Sequence, residues 1–333
     1  MMTAGDGRPT MYVPARDIPV PASVSPEAQT MLSMGMLGPE PQWAALDDVQ
    51  GWKKLIAERE AAVMAMSGVG GAYNGAQVEE EDLGGFTVFR ITPDGVPHND
   101  ARVYLELHGG GFIQDGGMIA CSRAVDTAKS LQAQVWAVDY RMPPDHPYPA
   151  AVDDCVAAYR QLLKERSPEK IVIGGPSAGG NLAAATILKA RAEGLPLPAA
   201  CVMISPVTDL TESGDTWNTN EGVDTVMRGS FLPCFELYAG GHDLRDPFLS
   251  PVYGDLTKGF PPTILTSGTR DKLLSDTVRF HRALCGAGIE TELHVFEAFG
   301  HAGFLGMAPE DAERGGEVNR FAHEHWARAS HNL

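Results

Sequence analysis

Ser177 stands in Gly175-Pro176-Ser177-Ala178-Gly179, preceded by the apolar run Ile171-Val172-Ile173 and followed by Asn181-Leu182-Ala183. A strand that turns at once into a helix leaves no room for side chains two positions either side of the turning residue, and both positions here are glycine. Such a turn lifts a serine hydroxyl out at the carboxyl edge of a sheet, over the positive end of a helix dipole. The chemistry that fits is nucleophilic attack by Ser177. The bland alternative is a glycine-rich link between a strand and a helix, which a bare Gly-x-Ser-x-Gly does not exclude. Pro176 lacks an amide donor, which the motif tolerates, and biases Gly175 towards extended geometry.

A second glycine cluster, His108-Gly109-Gly110-Gly111-Phe112, closes another apolar run. Adjacent glycines are costly to order and make sense where backbone amides must approach a developing negative oxygen. The amides of Gly110 and Gly111, beside Gly109 and joined by that of Ala178, are the expected oxyanion hole. A phosphate-binding turn would carry G-x-G-x-x-G or G-K-[ST] at a helix start, and neither occurs. His108 is read as holding the loop through hydrogen bonds rather than as the base.

Ten histidines are available, so the base is chosen by position. His301, in Phe299-Gly300-His301-Ala302-Gly303, follows the last strand-like run and precedes the last helical one, which puts it at the same edge of a parallel sheet as Ser177. His281 falls mid-helix, His294 within a strand, and His323 and His325 in the closing helix. The pair in His323-Glu324-His325 cannot share one helical face, which argues against a metal site. The carboxylate orienting the base should also follow a strand at this edge, and Asp271 does. Asp276 competes, but at the start of the next helix it serves more naturally as an N-terminal charge or cap.

These groups need a scaffold that alternates strand and helix. Strand-like runs are predicted at 86–91, 103–107, 135–138, 171–173, 201–204, 263–266 and 291–296, and the acidic run at 79–82 reads as a solvated edge strand. Helical stretches are predicted at 122–132, 150–165, 179–193, 276–286 and 310–329, so the fold class is α/β with a mostly parallel sheet covered on both faces. Residues 1–75 show no strand-like alternation and carry apolar residues at helical spacing at 28–36 and 49–66. They are read as an N-terminal helical cap segment, with 76–333 as the catalytic domain. The long insertion 209–245 between two strands is read as a further part of the cap, since such insertions usually cover a functional site. Met31, Met34, Met36, Trp43, Trp52, Trp217, Met227, Phe231 and Phe235 either line an adaptable pocket there or pack the cap on the core.

With 26 Lys and Arg against 43 Asp and Glu, the net charge of −17 disfavours phosphate backbones and anionic lipid as partners. The five cysteines Cys121, Cys155, Cys201, Cys234 and Cys285 are scattered and odd in number, so they read as reduced, mostly buried side chains rather than disulfides or zinc ligands. No apolar run is long enough for a membrane span or a signal peptide core, and a cytoplasmic location is expected.

From about residue 101 to 304 the chain resembles the hormone-sensitive-lipase-like (family IV) bacterial carboxylesterases of the α/β-hydrolase superfamily. The resemblance is carried by His108-Gly-Gly-Gly-Phe112, Asp139-Tyr-Arg-Met-Pro-Pro-Asp-His-Pro-Tyr-Pro-Ala-Ala151, Gly175-Pro-Ser-Ala-Gly-Gly-Asn181, Asp271-Lys-Leu273 and Gly300-His301. The order Ser177, Asp271, His301 is that of α/β-hydrolases. Two positions depart from the family pattern: Pro176 where Asp or Thr is usual, and Lys272 where the acid is usually followed by Pro. The resemblance implies an eight-stranded sheet, a helical cap and a homodimer formed through the edge of the last strand. It also implies hydrolysis of short- to medium-chain carboxylic esters through an acyl-enzyme on Ser177, without cofactor or metal. Lactone or amide hydrolysis would use the same residues. The plant gibberellin receptor shares this fold as a non-catalytic small-molecule receptor but lacks the histidine, and the presence of His301 argues for turnover.

Overall fold

Apolar runs bounded by glycine and proline pair into one eight-stranded sheet. Its strands are β1 (Ala76–Asp82), β2 (Thr87–Pro93), β3 (Val103–Leu107), β4 (Gln134–Asp139), β5 (Ile171–Pro176), β6 (Ala200–Ile204), β7 (Thr263–Gly268) and β8 (Thr291–Phe296). The structure, a computed structural model, describes residues 2–3, 9–38, 40–67 and 73–328. The spatial order is β8-β7-β6-β5-β3-β4-β2-β1. β3 to β8 run parallel, while β2 is antiparallel to both β1 and β4. The acidic edge strand is present as β1, which among the described residues pairs with β2 alone.

Helices α1 (Pro26–Ser33) and α2 (Val49–Ser67) precede the sheet. α3 (Gly117–Leu131), α4 (Ala150–Leu162) and α5 (Ala178–Ala192) follow β3, β4 and β5. α6 (Thr216–Thr219) and α7 (Leu232–Ala239) lie between β6 and β7, and α8 (Leu274–Gly286) and α9 (Pro309–Arg328) follow the last two strands. Side chains alternate across the sheet with period two. Leu105, Ile173 and Met203 pack with α4, α5 and α8 on one face, and Tyr104, Val172 and Val202 pack with α3 and α9 on the other. α5 is apolar on nearly all sides and is buried from Ala178 to Leu188, which fixes the segment after Ser177 rigidly in the core.

The N-terminal segment is tied to the far end of the chain. Ser25 caps α1 by accepting from the Ala28 amide at 3.2 Å, and its own amide and hydroxyl donate to Glu310 at 2.7 and 2.8 Å. Ala28, Met31 and Leu32, spaced along one helical face, bury against Ala298, Phe299 and Phe304 beside His301.

Several boundaries differ from the sequence reading. α3 begins at Gly117, earlier than predicted, because the Gly117 amide donates to the Asp139 carboxylate at 2.9 Å and that long-range contact overrides the helix-breaking pair Gly116-Gly117. The insertion contains α6 and α7, and a two-residue strand pair joins Met2–Thr3 to Pro9–Thr10 in the segment read as strand-free. Ala329, predicted as the end of the last helix, and residues 1, 4–8, 39 and 68–72 of the predicted cap lie outside the described residues. No described helix is long and apolar enough to cross a membrane.

From β3 the chain moves to β4 on one side and then to β5 on the other, so the order reverses between β3 and β5. A crevice forms outside the carboxyl ends of strands at such a reversal. The glycine cluster after β3 and Ser177 after β5 both open into it.

Candidate active site

Ser177 occupies the turn between β5 and α5 with φ 55° and ψ −118°, a conformation that costs a non-glycine residue free energy and persists only where surrounding contacts enforce it. Those contacts are visible. The Ser177 amide donates to Ile204 O at 2.8 Å, and its carbonyl accepts from Asn181 N at 3.2 Å and Val207 N at 3.3 Å. The flanking glycines are needed because the turn is pressed against the end of β3: a Cβ on Gly175 or on Gly179 would collide with the Leu107 carbonyl oxygen.

The structure brings the three groups predicted to act together into one row. Ser177 Oγ lies 3.0 Å from His301 Nε2, and His301 Nδ1 faces Asp271 Oδ1 at 3.4 Å, an electrostatic contact at the outer edge of hydrogen-bonding range. This arrangement requires the Nε2 lone pair to accept the serine proton while Nδ1 carries its proton towards Asp271. Asp271 is fully buried after β7; its second oxygen accepts from Ser267 Oγ at 2.7 Å and its first from Leu273 N at 2.9 Å. Burial alone would push the Asp271 carboxyl up, but His301, the Leu273 amide and the Ser267 hydroxyl together hold it below its ordinary range. Burial likewise depresses the His301 imidazolium, and the neighbouring Asp271 and Asp224 carboxylates outweigh it, so His301 is raised.

The glycine cluster curls over Ser177. Gly110 and Gly111 have φ of 97° and 64°, whereas Gly109 stays in the ordinary region and is kept small by packing: a Cβ there would lie 3.2 Å from Pro176 O and 3.6 Å from Ser177 Cβ. Among the described residues, no protein acceptor takes the amides of Gly110, Gly111 or Ala178. The loop is braced from below and from above. His108 donates from Nδ1 to Gly109 O at 2.8 Å, stacks on Tyr140 at 4.0 Å, and its carbonyl accepts from the Tyr140 hydroxyl at 2.8 Å. From α7, the Cys234 thiol donates to Gly111 O at 3.0 Å, and burial pushes that thiol up to about 12, so it stays a donor at neutral pH.

Asp276 does not cap its own helix. Although it sits in the first turn of α8, its carboxylate accepts from Thr208 N, Asp209 N and Trp217 Nε1 at 2.9, 3.0 and 3.2 Å, because the loop after β6 carries amides that no other acceptor takes among the described residues. Of the apolar residues that could line a pocket or pack, Trp52, Trp217, Met227 and Phe235 are buried and pack, and Met31 does so beside Phe299. Met34 is 60% exposed, while Trp43 stacks on Trp52 at 5.7 Å and meets the edge of Phe231 at 5.3 Å. The cysteines are free, four buried and Cys285 exposed.

One carboxylate beside His301 escaped the sequence reading. Asp224, between α6 and α7, is fully buried and accepts from the amide of His301 itself. It lies in no strand and no motif, so only the fold could disclose it. Away from this crevice, Glu292, His294 and Glu317 place potential metal-ligating atoms within 4.8 Å of one another at the surface, where Arg320 already pairs with both carboxylates.

Residues 104–305 match the model of a family described by the alpha/beta hydrolase fold. An acetyl-hydrolase of Streptomyces hygroscopicus is 38% identical over 191 residues, covering 57% of this chain and 64% of that protein, so the chain spans just under two thirds of this relative's length. The crystal structure of the esterase E25 superposes with a TM-score of 0.85 at 33% identity, covering 95% of this chain and 99% of that one. The hormone-sensitive-lipase homologue EstE7, from a metagenome library, gives a TM-score of 0.75 at 34% identity over 86% of this chain and all of its own. The chain belongs to the α/β-hydrolase fold family and, within it, to the hormone-sensitive-lipase-like branch.

Proposed function

We propose that the protein is a serine carboxylesterase in which Ser177 is the nucleophile, His301 the general base and Asp271 the carboxylate that orients it. The observation that carries this reading is the 3.0 Å contact of Ser177 Oγ with His301 Nε2 while Asp271 faces the opposite ring nitrogen. Ser177 attacks the ester carbonyl as His301 takes its proton. The oxyanion is received by the amides of Gly110, Gly111 and Ala178, with Gly109 leaving room for the loop to close on Ser177. His301 then protonates the departing alcohol, and the acyl group remains on Ser177. Water activated by His301 releases the acid. Asp271, held ionised, stabilises the imidazolium in both halves of the reaction. No step calls for a metal or organic cofactor.

The names of the relatives, an acetyl-hydrolase and an esterase, support ester hydrolysis and a modest acyl group. Segments 1–75 and 209–245 are read as the cap over the crevice, and its finite volume favours short to medium acyl chains. The net charge of −17 supports a small-molecule partner over nucleic acid. Among the described residues β8 pairs with β7 on one side and with no strand on the other, and it is the edge through which a homodimer would form.

The test is a panel of p-nitrophenyl esters of graded acyl length, with lactones and amides beside them, run on the wild type and on Ser177→Ala. Ester turnover should vanish in the folded variant, and an organophosphonate should label Ser177 alone. Wild-type-like ester hydrolysis by Ser177→Ala would end the proposal.

A further inference from the structure

Two loops must be held at a fixed separation for the proposed chemistry: the turn after β7 that carries Asp271 and the turn after β8 that carries His301. Asp224 touches both. Its Oδ2 accepts from Lys272 N at 2.9 Å, and both of its oxygens lie 3.2 Å from His301 N. Its Oδ1 also accepts from Val226 N at 2.9 Å and Met227 N at 3.1 Å. Every hydrogen-bond partner it has among the described residues is a donor, and it is fully buried. Gly300 is kept small beside it, since a Cβ there would come within 3.0 Å of Asp224 Oδ1.

The segment that delivers Asp224 is strapped down at further points. Asn220 Nδ2 donates to Asp271 O at 2.8 Å, Thr216 Oγ1 to Lys272 O at 2.8 Å, and the Thr225 carbonyl accepts from Leu37 N at 2.9 Å. The first two of these contacts fall on the backbone of the acid turn itself. A carboxylate that served only its own loop would need no more than the Val226 and Met227 amides.

We propose that Asp224 is a positioning residue for the reaction, a second buried carboxyl group that locks the Asp271 and His301 turns in register. The inference rests on the esterase reading above. The charged groups facing His301 are Asp271 and Asp224, which favour its protonated form, and Arg314, which opposes it and is itself paired with Asp311 at 3.4 Å. Removing the Asp224 charge therefore moves His301 towards lower pH.

The experiment compares the wild type with Asp224→Asn. The carboxamide has nearly the same shape, but in either orientation its NH2 group faces amide donors, Lys272 on one side or Val226 and Met227 on the other. Turnover of p-nitrophenyl butyrate should fall about 10- to 100-fold in kcat with KM little changed, as expected when reacting groups are misplaced rather than substrate binding lost. The acid limb of the kcat/KM profile should move to lower pH, and the imidazole proton resonance of His301, followed by NMR without substrate, should titrate in the same direction. A folded Asp224→Asn protein with wild-type kcat and an unmoved acid limb overturns the inference. If that variant does not fold, Asp224→Ser, which keeps a small acceptor, takes its place, with the same measurements and the same outcomes deciding. The NMR arm separates the two readings: a downward shift in a protein inert to every ester upholds the placement and removes the esterase, whereas active enzyme with an unmoved titration removes the placement alone.

Discussion

The ammonium of Lys272, one residue beyond Asp271, lies 2.5 Å from Glu221 Oε2 and 2.6 Å from the Gly229 carbonyl, although the Lys272 side chain is only 1% exposed. A buried lysine is tolerated because two acceptors meet it and the Trp217 ring lies 5.4 Å from its charge. The contact joins the acid turn to the segment between α6 and α7.

Lys272→Met should therefore destabilise the protein. The methionine fills the space of the stem but removes the donor that Glu221 and the Gly229 carbonyl share. Because the Glu221 side chain is 45% exposed, the loss should be about 2 kcal/mol, below that of breaking a wholly buried pair. Urea unfolding of the two proteins measures it, and an unchanged midpoint would show that the pair contributes nothing net.

Glu106, on β3 with one oxygen unpartnered among the described residues, is pushed up to about 7 by burial. Its folded value is raised above the unfolded one, so its contribution to stability is fully present below about pH 4.5 and is lost as pH climbs to about 7. Glu106→Gln should flatten this part of the stability curve and gain most at pH 8, by up to about 3 kcal/mol. Thermal melts of both proteins at intervals between pH 5 and 8 decide it; parallel curves would refute the assignment.

Hydrolysis should require neutral His301. Since His301 is raised above the ordinary histidine value, kcat/KM should begin to fall on acidification at a higher pH than an isolated imidazole would give. Asp271→Asn removes the charge that does most to raise it, so the acid limb should move down, while kcat drops by about 10⁴ because the imidazole loses its tautomer control. A pH–rate series on both proteins checks the two effects together.

Gly179→Ala places a methyl group into the Leu107 carbonyl. Neither partner can move freely, one being in a buried helix and the other at the end of a central strand. Destabilisation should lie at the top of the usual overpacking range of about 1–3 kcal/mol. Activity should fall further than stability, because Ser177 immediately precedes the first turn of α5, where Gly179 sits. A melting temperature and an esterase rate within error of the wild type would contradict the packing described at this turn.

What sequence could disclose followed from local chemistry. The Gly-x-Ser-x-Gly turn is legible because steric crowding at a strand–helix junction leaves only glycine, and the parallel strands because burial on both faces makes them continuous apolar runs. His301 and Asp271 were legible through their place after strands. Asp276 lies in the first turn of α8 as its helix-start position suggests, but it does not cap that helix, because its partners are amides more than sixty residues away. Asp224 left no local trace at all: its role is set by amides at 272 and 301, and nothing within its own segment demands a carboxylate there. α6 and α7 are too short and too irregular in their apolar spacing to stand out from the loop that contains them.

The Asp224 contacts also bear on how this scaffold can be re-engineered. Swapping segment 209–245 for that of another α/β-hydrolase exchanges lining residues and, in the same cut, removes an acceptor on which the His301 backbone rests. A graft that ends before residue 220 or begins after 229 leaves that acceptor with its host. Chimeras divided on either side of it should separate altered selectivity from impaired turnover.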